Sequence, residues 1–211
     1  MTEDEKTRVV MIAGLSGSGK TRLIRSLLDG IDTGRTGVIV NNEKSERELD
    51  GLCKVVDSFP IRTPCARPRQ YRYRIEKMLD ANDLGLIMTE PPGLCSETSA
   101  PVLNPIVMFK KDSVTVGPLI TVMDYTTIPV KGINKDLTDE FKLFNLIFES
   151  DCIVVRKNEH LSEEQKKRVS SEIEKINPDA CIVFHSDDEK GMESINKKVF
   201  SDEIYSRPLI Y

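Results

Sequence analysis

Several signals that would fix a protein's class at a glance are missing from this 211-residue sequence. The five cysteines (Cys53, Cys65, Cys95, Cys152, Cys181) form no CxxC pair, and in a reducing cytosol they do not make a disulfide framework. No apolar run of ~18 residues is present, and the opening MTEDEKTR is charged and polar. Neither a membrane span nor a secretory signal is expected, and the chain is expected to be cytoplasmic. An excess of one charge is also lacking: 30 basic side chains face 34 acidic ones, a formal net charge of -4. No chain-wide cationic field therefore advertises nucleic acid or an anionic membrane. With no internal repeat, low-complexity tract or composition shift, residues 1–211 are expected to form a single domain, long enough to bury a full core without disulfides or metals.

What is present is a rhythm of short apolar runs: RVVMIA (8–13), GVIVN (37–41), CKVVD (53–57), LGLIMT (84–89), PLITVMD (118–124), CIVVR (152–156) and ACIVF (180–184). Runs apolar on both faces suit strands covered by helices on either side. Helical patterns over 20–29, 71–80, 139–149, 162–176 and 192–200 fall between them. Ser162 and Gln165 have the spacing of a capping box, and Asn177-Pro178 supplies a stop. The pattern predicts a doubly wound α/β fold with a mostly parallel sheet of about seven strands and helices on both faces.

The segment Gly14-Leu15-Ser16-Gly17-Ser18-Gly19-Lys20-Thr21 fits GxxxxGK[ST], after a strand pattern and before a helix pattern. Glycines let the backbone curl so that its N–H groups point at a phosphate, and the helix N-terminus adds positive potential. Lys20 is expected to reach the β- and γ-phosphates, and the Thr21 hydroxyl to ligate Mg²⁺. A glycine-rich turn that merely joins strand to helix is the bland alternative, and the full strand–loop–helix context argues against it. At the end of the fourth strand pattern Glu90-Pro91-Pro92-Gly93 offers an acid that could hold Mg²⁺ or its water and a glycine N–H for the γ-phosphate. An ordinary strand end with a proline turn is the competing reading.

These elements resemble those of the CobW/HypB/UreG family of metal-handling P-loop GTPases (SIMIBI class). The family's first-switch pattern NEFGE-V-x-x-D is matched at Asn42, Glu43, Glu46 and Asp50; its second switch by Glu90-Pro91-Pro92-Gly93; and its VVDA strand by Val122-Met123-Asp124-Tyr125. The resemblance runs from the phosphate loop to at least Glu159, without the separate C-terminal domain of the CobW branch. It implies a nucleotide switch with Glu43, Glu90 and Gly93 in the responsive loops, Thr21 and Glu90 at Mg²⁺, and Lys157 and Glu159 at the base. The family's [NT]KxD reads Arg156-Lys157-Asn158-Glu159 here. A carboxylate one methylene longer puts guanine selection in doubt, so both GTP and ATP stay open as substrate. His185, in the loop FHSDDEKG (184–191), is expected near the nucleotide rather than at a metal.

A second departure concerns metal. Family members often carry CxCC between the switches, but here FPIRTPCARPRQYRYR (59–74) has Cys65 alone, and one thiolate cannot close a tetrahedral site. Cys95, two residues past Gly93, suggests a site shared across a homodimer. Cys65 and Cys95 also stand in a chain order similar to nitrogenase iron-protein ATPases, which bridge a [4Fe–4S] cluster across a dimer. Packing is the alternative for any isolated cysteine and is adopted for Cys53, Cys152 and Cys181.

The same segment holds Arg62, Arg67, Arg69, Arg72 and Arg74 with no acidic residue from Phe59 to Ile75. Interleaved Tyr71 and Tyr73 raise RNA binding, but Tyr71 and Tyr73 cannot share a helix face. Docking to an acidic protein surface or a solvated helix face fits the slightly acidic chain better. The resulting expectation is an NTPase switch assisting metal or metal-cofactor insertion or reactivation in a client metalloprotein, as a homodimer that forms in response to nucleotide. A cluster-bridging redox ATPase and a small-molecule kinase are the rivals; no Arg-rich lid beyond residue 120 favours the kinase.

Overall fold

The structure, a computed structural model, describes residues 6–60, 68–92, 102–110, 112–128, 140–185, 192, 193 and 195–197. Seven strands form one sheet: β1 (Thr7–Ala13), β2 (Thr36–Val40), β3 (Val55–Ser58), β4 (Leu86–Thr89), β5 (Val114–Asp124), β6 (Cys152–Arg156) and β7 (Cys181–Phe184). Their order is β3-β2-β4-β1-β5-β6-β7, and every adjacent pair runs parallel. The alternation of β1 shows why its sequence is apolar throughout. Val9, Met11 and Ala13 enter one buried cluster while Val10 and Ile12 enter the other. Both faces of the sheet are dry, so period-2 patterning disappears.

Among the described residues six α-helices of seven residues or more cover those faces: α1 (Lys20–Leu28), α2 (Glu43–Leu49), α3 (Pro68–Ala81), α4 (Asn104–Lys110), α5 (Glu140–Glu149) and α6 (Glu163–Glu174). Leu23, Ile24, Leu27 and Leu28 of α1 and Leu49 of α2 pack with Val10 and Ile12. Tyr71 and Ile75 of α3, Ile106 of α4, Leu143 and Leu146 of α5, and Val169 and Ile173 of α6 pack on the opposite face. Each such aliphatic side chain contributes about 1.5–3 kcal/mol by leaving water. The capping box of α6 is formed as its spacing predicts, Ser162 accepting from the Gln165 N–H and Gln165 from the Ser162 N–H.

All seven expected strands are present, with two differences in detail. Helices α2 and α4 have no counterpart among the expected helices. Each is seven residues long, and α2 buries only Ser45 and Leu49, too few positions to show a 3.6-residue period. Strand β5 starts at Val114 rather than near Pro118, because Gly117-Pro118 reads as a turn. Between Val9↔Val116 and Met11↔Leu119 the register shifts by one residue. The extra residue is a bulge, which accommodates a proline that has no N–H to donate.

The chain leaves β1 for one side of the sheet and later returns to β5 on the other, so β1 lies at the topological switch point where α/β proteins bind ligands. The segments after β1, β2, β4, β5 and β6 all emerge at this carboxyl edge.

Candidate functional site

The loop after β1 adopts conformations that side chains resist. Gly14, Gly17 and Gly19 have φ of 142°, 79° and 95°, a region in which glycine carries no Cβ penalty. Gly19 is the N-cap of α1. A Cβ there would strike the Arg156 guanidinium, whose Nη1 donates to the Gly19 carbonyl at 3.2 Å. The last residue of β6 thereby holds the loop's helical end, a contact spanning 137 positions in sequence.

Inside the loop, Lys20 is buried and its Nζ donates to the Gly14 and Leu15 carbonyls, both at 3.0 Å. The Ser18 Oγ is buried with no partner among the described residues. An unpaired buried hydroxyl costs about 1–3 kcal/mol, and a phosphate oxygen is the ligand that a glycine-rich loop at a helix start is shaped to offer it.

Beside the loop, three oxygens from three elements converge. The Thr21 hydroxyl donates to the Glu90 Oε2 at 2.8 Å and lies 2.9 Å from the Ser45 Oγ. Asn42 sets the position of Ser45: it caps α2, its Oδ1 accepting from the Ser45 N–H at 2.8 Å and its Nδ2 donating to the Ser45 Oγ at 3.0 Å. Glu90 is held from behind, its N–H donating to the Ile39 carbonyl at 2.8 Å. Burial pushes the Glu90 carboxyl above its ordinary value, against the downward pull of Lys20 and of the Thr21 bond. Burial likewise lowers the Lys20 ammonium, against the upward pull of Glu90. A carboxylate and two hydroxyls are hard oxygen donors of the kind Mg²⁺ takes. Thr21, Ser45 and Glu90 would hold the ion, which would supply positive charge to offset that of a bound nucleotide's phosphates.

At the other end, a cavity of about 250 Å³ opens between the loop and the ends of β5 and β6, lined by Leu15, Ser16, Gly17, Ser18, Asp124 and Lys157 among others. Lys157 has φ 55° and pairs through Nζ with the Asp124 Oδ2 at 2.5 Å. Burial acts to raise the Asp124 carboxyl, but the bonds from Lys157 and Thr126 outweigh it and leave the pKa below its ordinary value. Glu159 is exposed. Asn158 between them is buried, donating to the Val155 and His185 carbonyls at 2.8 and 2.9 Å. The His185 ring is buried rather than open to the cavity's mouth.

Of the residues singled out in the sequence, Gly14, Ser16, Gly17, Ser18, Gly19, Lys20, Thr21 and Glu90 come together around the loop, and Lys157 lines the cavity beside it. Glu43 is exposed on the first turn of α2. Gly93, Cys65 and Cys95 lie outside the described residues. Among the described residues no group of three His, Cys, Asp or Glu side chains could hold a metal ion, and no helix is long and apolar enough to cross a membrane. Sequence reasoning missed Ser45, Arg156 and Asp124 as contributors. Ser45 had a signal, since Asn42 as N-cap fixes the side chain three residues on; Arg156 had none, because its partner is distant.

The comparisons bear on the family and the fold. The sequence pattern described as "CobW/HypB/UreG, nucleotide-binding domain" matches residues 8–184. A curated relative, "Zinc-regulated GTPase metalloprotein activator 1" of Dictyostelium discoideum, is 24% identical over 217 residues, covering 85% of this chain and 46% of that protein. The chain therefore spans about half the length of that relative. Among solved structures, HypB from Helicobacter pylori in complex with nickel superposes with a TM-score of 0.65 at 16% identity, covering 92% of this chain and 85% of that one. The Zn(II)-bound YjiA GTPase from E. coli gives 0.60 at 14% identity, covering 98% and 67%. Both share the fold. Because the matched span carries the phosphate loop and all seven strands around it, the chain belongs to the CobW/HypB/UreG family, of which it has the nucleotide-binding domain.

Proposed function

We propose that the protein is a P-loop nucleoside triphosphatase that acts as a switch in metal handling, coupling GTP hydrolysis to insertion of a metal, or reactivation of a metal cofactor, in a client metalloprotein. The observation that carries the reading is the Thr21–Ser45–Glu90 corner. It joins the phosphate loop to α2 and to the end of β4 through hydroxyl and carboxylate oxygens that a Mg²⁺-bound nucleotide would compete for. Gain or loss of the γ-phosphate would therefore move the Asn42–Ser45 turn, with Glu43 on it, and the segment after Glu90 that contains Gly93.

GTP is taken as the substrate because the curated relative is named a GTPase; Glu159 is the position at which ATP would gain entry. Zinc and nickel enter as cargo from the names of the relatives, and none of those names mentions an iron–sulfur cluster. Cys65 and Cys95 are the thiols to test for holding that cargo, alone or across a nucleotide-dependent homodimer.

The experiment is Mg²⁺-dependent release of phosphate from GTP and from ATP by highly purified protein and by Lys20→Ala. Turnover that disappears in Lys20→Ala is expected; turnover that survives the substitution belongs to a contaminant and ends the proposal. Anaerobic purification with metal analysis of wild type, Cys65→Ser and Cys95→Ser tests the cargo. Zinc or nickel lost in Cys65→Ser supports delivery, whereas roughly four irons and four sulfides per dimer transfer the assignment to a redox ATPase.

A further inference from the structure

Arg69, Arg72 and Arg74 of the arginine-rich segment lie on α3, apart from the candidate nucleotide site. Arg69, Tyr73 and Lys77 recur at four-residue spacing and so form one stripe; Gln70 and Arg74 form the next. Both stripes line a groove of about 480 Å³ whose other wall is Phe59, just beyond β3. This volume lies within the ~300–1,000 Å³ span of ligand-binding clefts.

The wall is fixed in place. Phe59 donates its N–H to the Val40 carbonyl at 2.8 Å, its ring packs against Tyr71 with centroids 6.4 Å apart, and the Arg74 guanidinium stands 4.8 Å from the ring centroid. Arg74 is also paired with Asp57 at 3.3 Å. Arg69 and Lys77 have no ion pair among the described residues and are exposed, as is Tyr73, at 61%. Among the described residues no acidic side chain lines the groove.

We propose that this groove docks a short acidic segment of a partner protein, its carboxylates meeting Arg69 and Lys77 and an apolar side chain lying between Phe59 and Tyr73. Charge complementarity selects the occupant: a local cationic strip on a chain of net charge -4 steers an acidic partner. Two observations separate it from nucleic acid. Base stacking on the interleaved tyrosines requires both rings, and Tyr71 is buried with its hydroxyl bonded to the Thr89 hydroxyl. The two uncommitted cations that line the groove among the described residues also neutralise few phosphates, too few by themselves to hold a strand at physiological salt.

The docking does not depend on the nucleotide reading, and the test keeps the two apart. A fluorescein-labelled peptide of sequence EELFED is titrated by fluorescence anisotropy against the full chain, against Arg69→Glu/Lys77→Glu and against Tyr73→Ala, with affinity for a fluorescent GDP analogue as the control for folding and for the phosphate site. Saturable binding is expected, weakened about tenfold or more by the double charge reversal and severalfold by Tyr73→Ala, with nucleotide affinity unchanged in each. Should the peptide fail to bind wild-type protein that retains nucleotide, or bind the charge-reversed variant equally well, the groove is not a docking site for acidic segments. A ten-nucleotide single-stranded RNA that competes at lower concentration than the peptide overturns the proposal in favour of nucleic acid, and dimerisation abolished by the double reversal overturns it in favour of a second copy.

Discussion

The two ends of the candidate nucleotide site are built by opposite means. At the phosphate end, Lys20, Glu90, Ser45 and Ser18 are all buried, and their contacts join the first, second and fourth strand–helix connections. At the base end, Lys157 and Glu159 are exposed, and the Lys157–Asp124 pair joins the ends of two adjacent strands. Burial at the first end shifts the Lys20 and Glu90 pKa values in the directions that oppose their charge. The phosphate end is therefore preorganised and costly to keep without ligand, while at the other end Lys157 and Glu159 stand in solvent beside buried Asp124, Arg156 and Asn158. The two departures from the family pattern therefore differ in kind: Glu159 is exposed, whereas Arg156 is buried and bonded to the Gly19 carbonyl.

The sharpest way to break the contrast is at Glu90. Glu90→Gln removes the carboxylate that would hold Mg²⁺ in the proposed site but keeps an oxygen for Thr21. A metal ion stabilises phosphoryl transfer by several kcal/mol, and each ~1.4 kcal/mol is tenfold in rate. Turnover is expected to drop about 100-fold or more in steady-state phosphate release, and an effect below threefold removes Glu90 from the metal site. The raised pKa also carries a sign. Holding Mg²⁺ would require ionised Glu90, so Mg²⁺-nucleotide affinity is expected to weaken as pH falls, beginning at a higher pH than an ordinary carboxylate would impose. For the unliganded fold the sign is reversed. The contribution of protonated Glu90 is full below its ordinary value of 4.5 and is lost as pH rises through the raised folded value.

The base end gives the next effect in size. Glu159→Asp restores the shorter acid of the family pattern, and a charged hydrogen bond to the guanine edge is worth about 1.5–3 kcal/mol. The ratio of kcat/KM for GTP over ATP is expected to rise about tenfold; an unchanged ratio means that Glu159 does not meet the base. Smaller again is Ser45→Ala, which deletes one neutral oxygen from the metal corner. It is expected to weaken Mg²⁺-nucleotide binding by roughly twofold to tenfold with little change in melting temperature. Asn42→Ala, by contrast, loses the α2 cap and about 1 kcal/mol of stability. If the two variants behave alike, Ser45 acts only through the helix.

The same contrast governs how much was legible in the sequence. The sheet could be read strand by strand because dry strands are continuous Val and Ile runs, and the phosphate loop because its geometry demands glycine at fixed spacing. Glu90 followed from its place at the end of a buried strand. Helix α2 was not legible, since seven residues with two buried positions leave no periodic trace, and Ser45 was hidden with it. Arg156 looked like a defect in a base-recognition motif, whereas its guanidinium reaches 137 positions back to Gly19. Tertiary contacts of that span have no local signature. Tyr71 and Tyr73 were rightly separated by helical phase, one buried beneath the sheet's helices and the other exposed.

The smallest effect is a test of the base end by pH. The Asp124 carboxyl lies below its ordinary value of 3.8 because Lys157 and Thr126 outweigh burial. A depressed folded-state pKa contributes stability that is present above the unfolded value and is lost as pH falls through the folded one. In Lys157→Ala the burial that opposes ionisation acts with Thr126 as its main counterweight, so the Asp124 pKa rises. Because the Lys157 side chain is 67% exposed, solvent and salt screen the pair and the loss at neutral pH is small. Acid unfolding followed by circular dichroism should show the variant unfolding at a higher pH than wild type, with the gap shrinking in high salt. Superimposable acid transitions would mean that the Lys157–Asp124 pair contributes nothing without nucleotide, leaving the base end unformed until a ligand orders it.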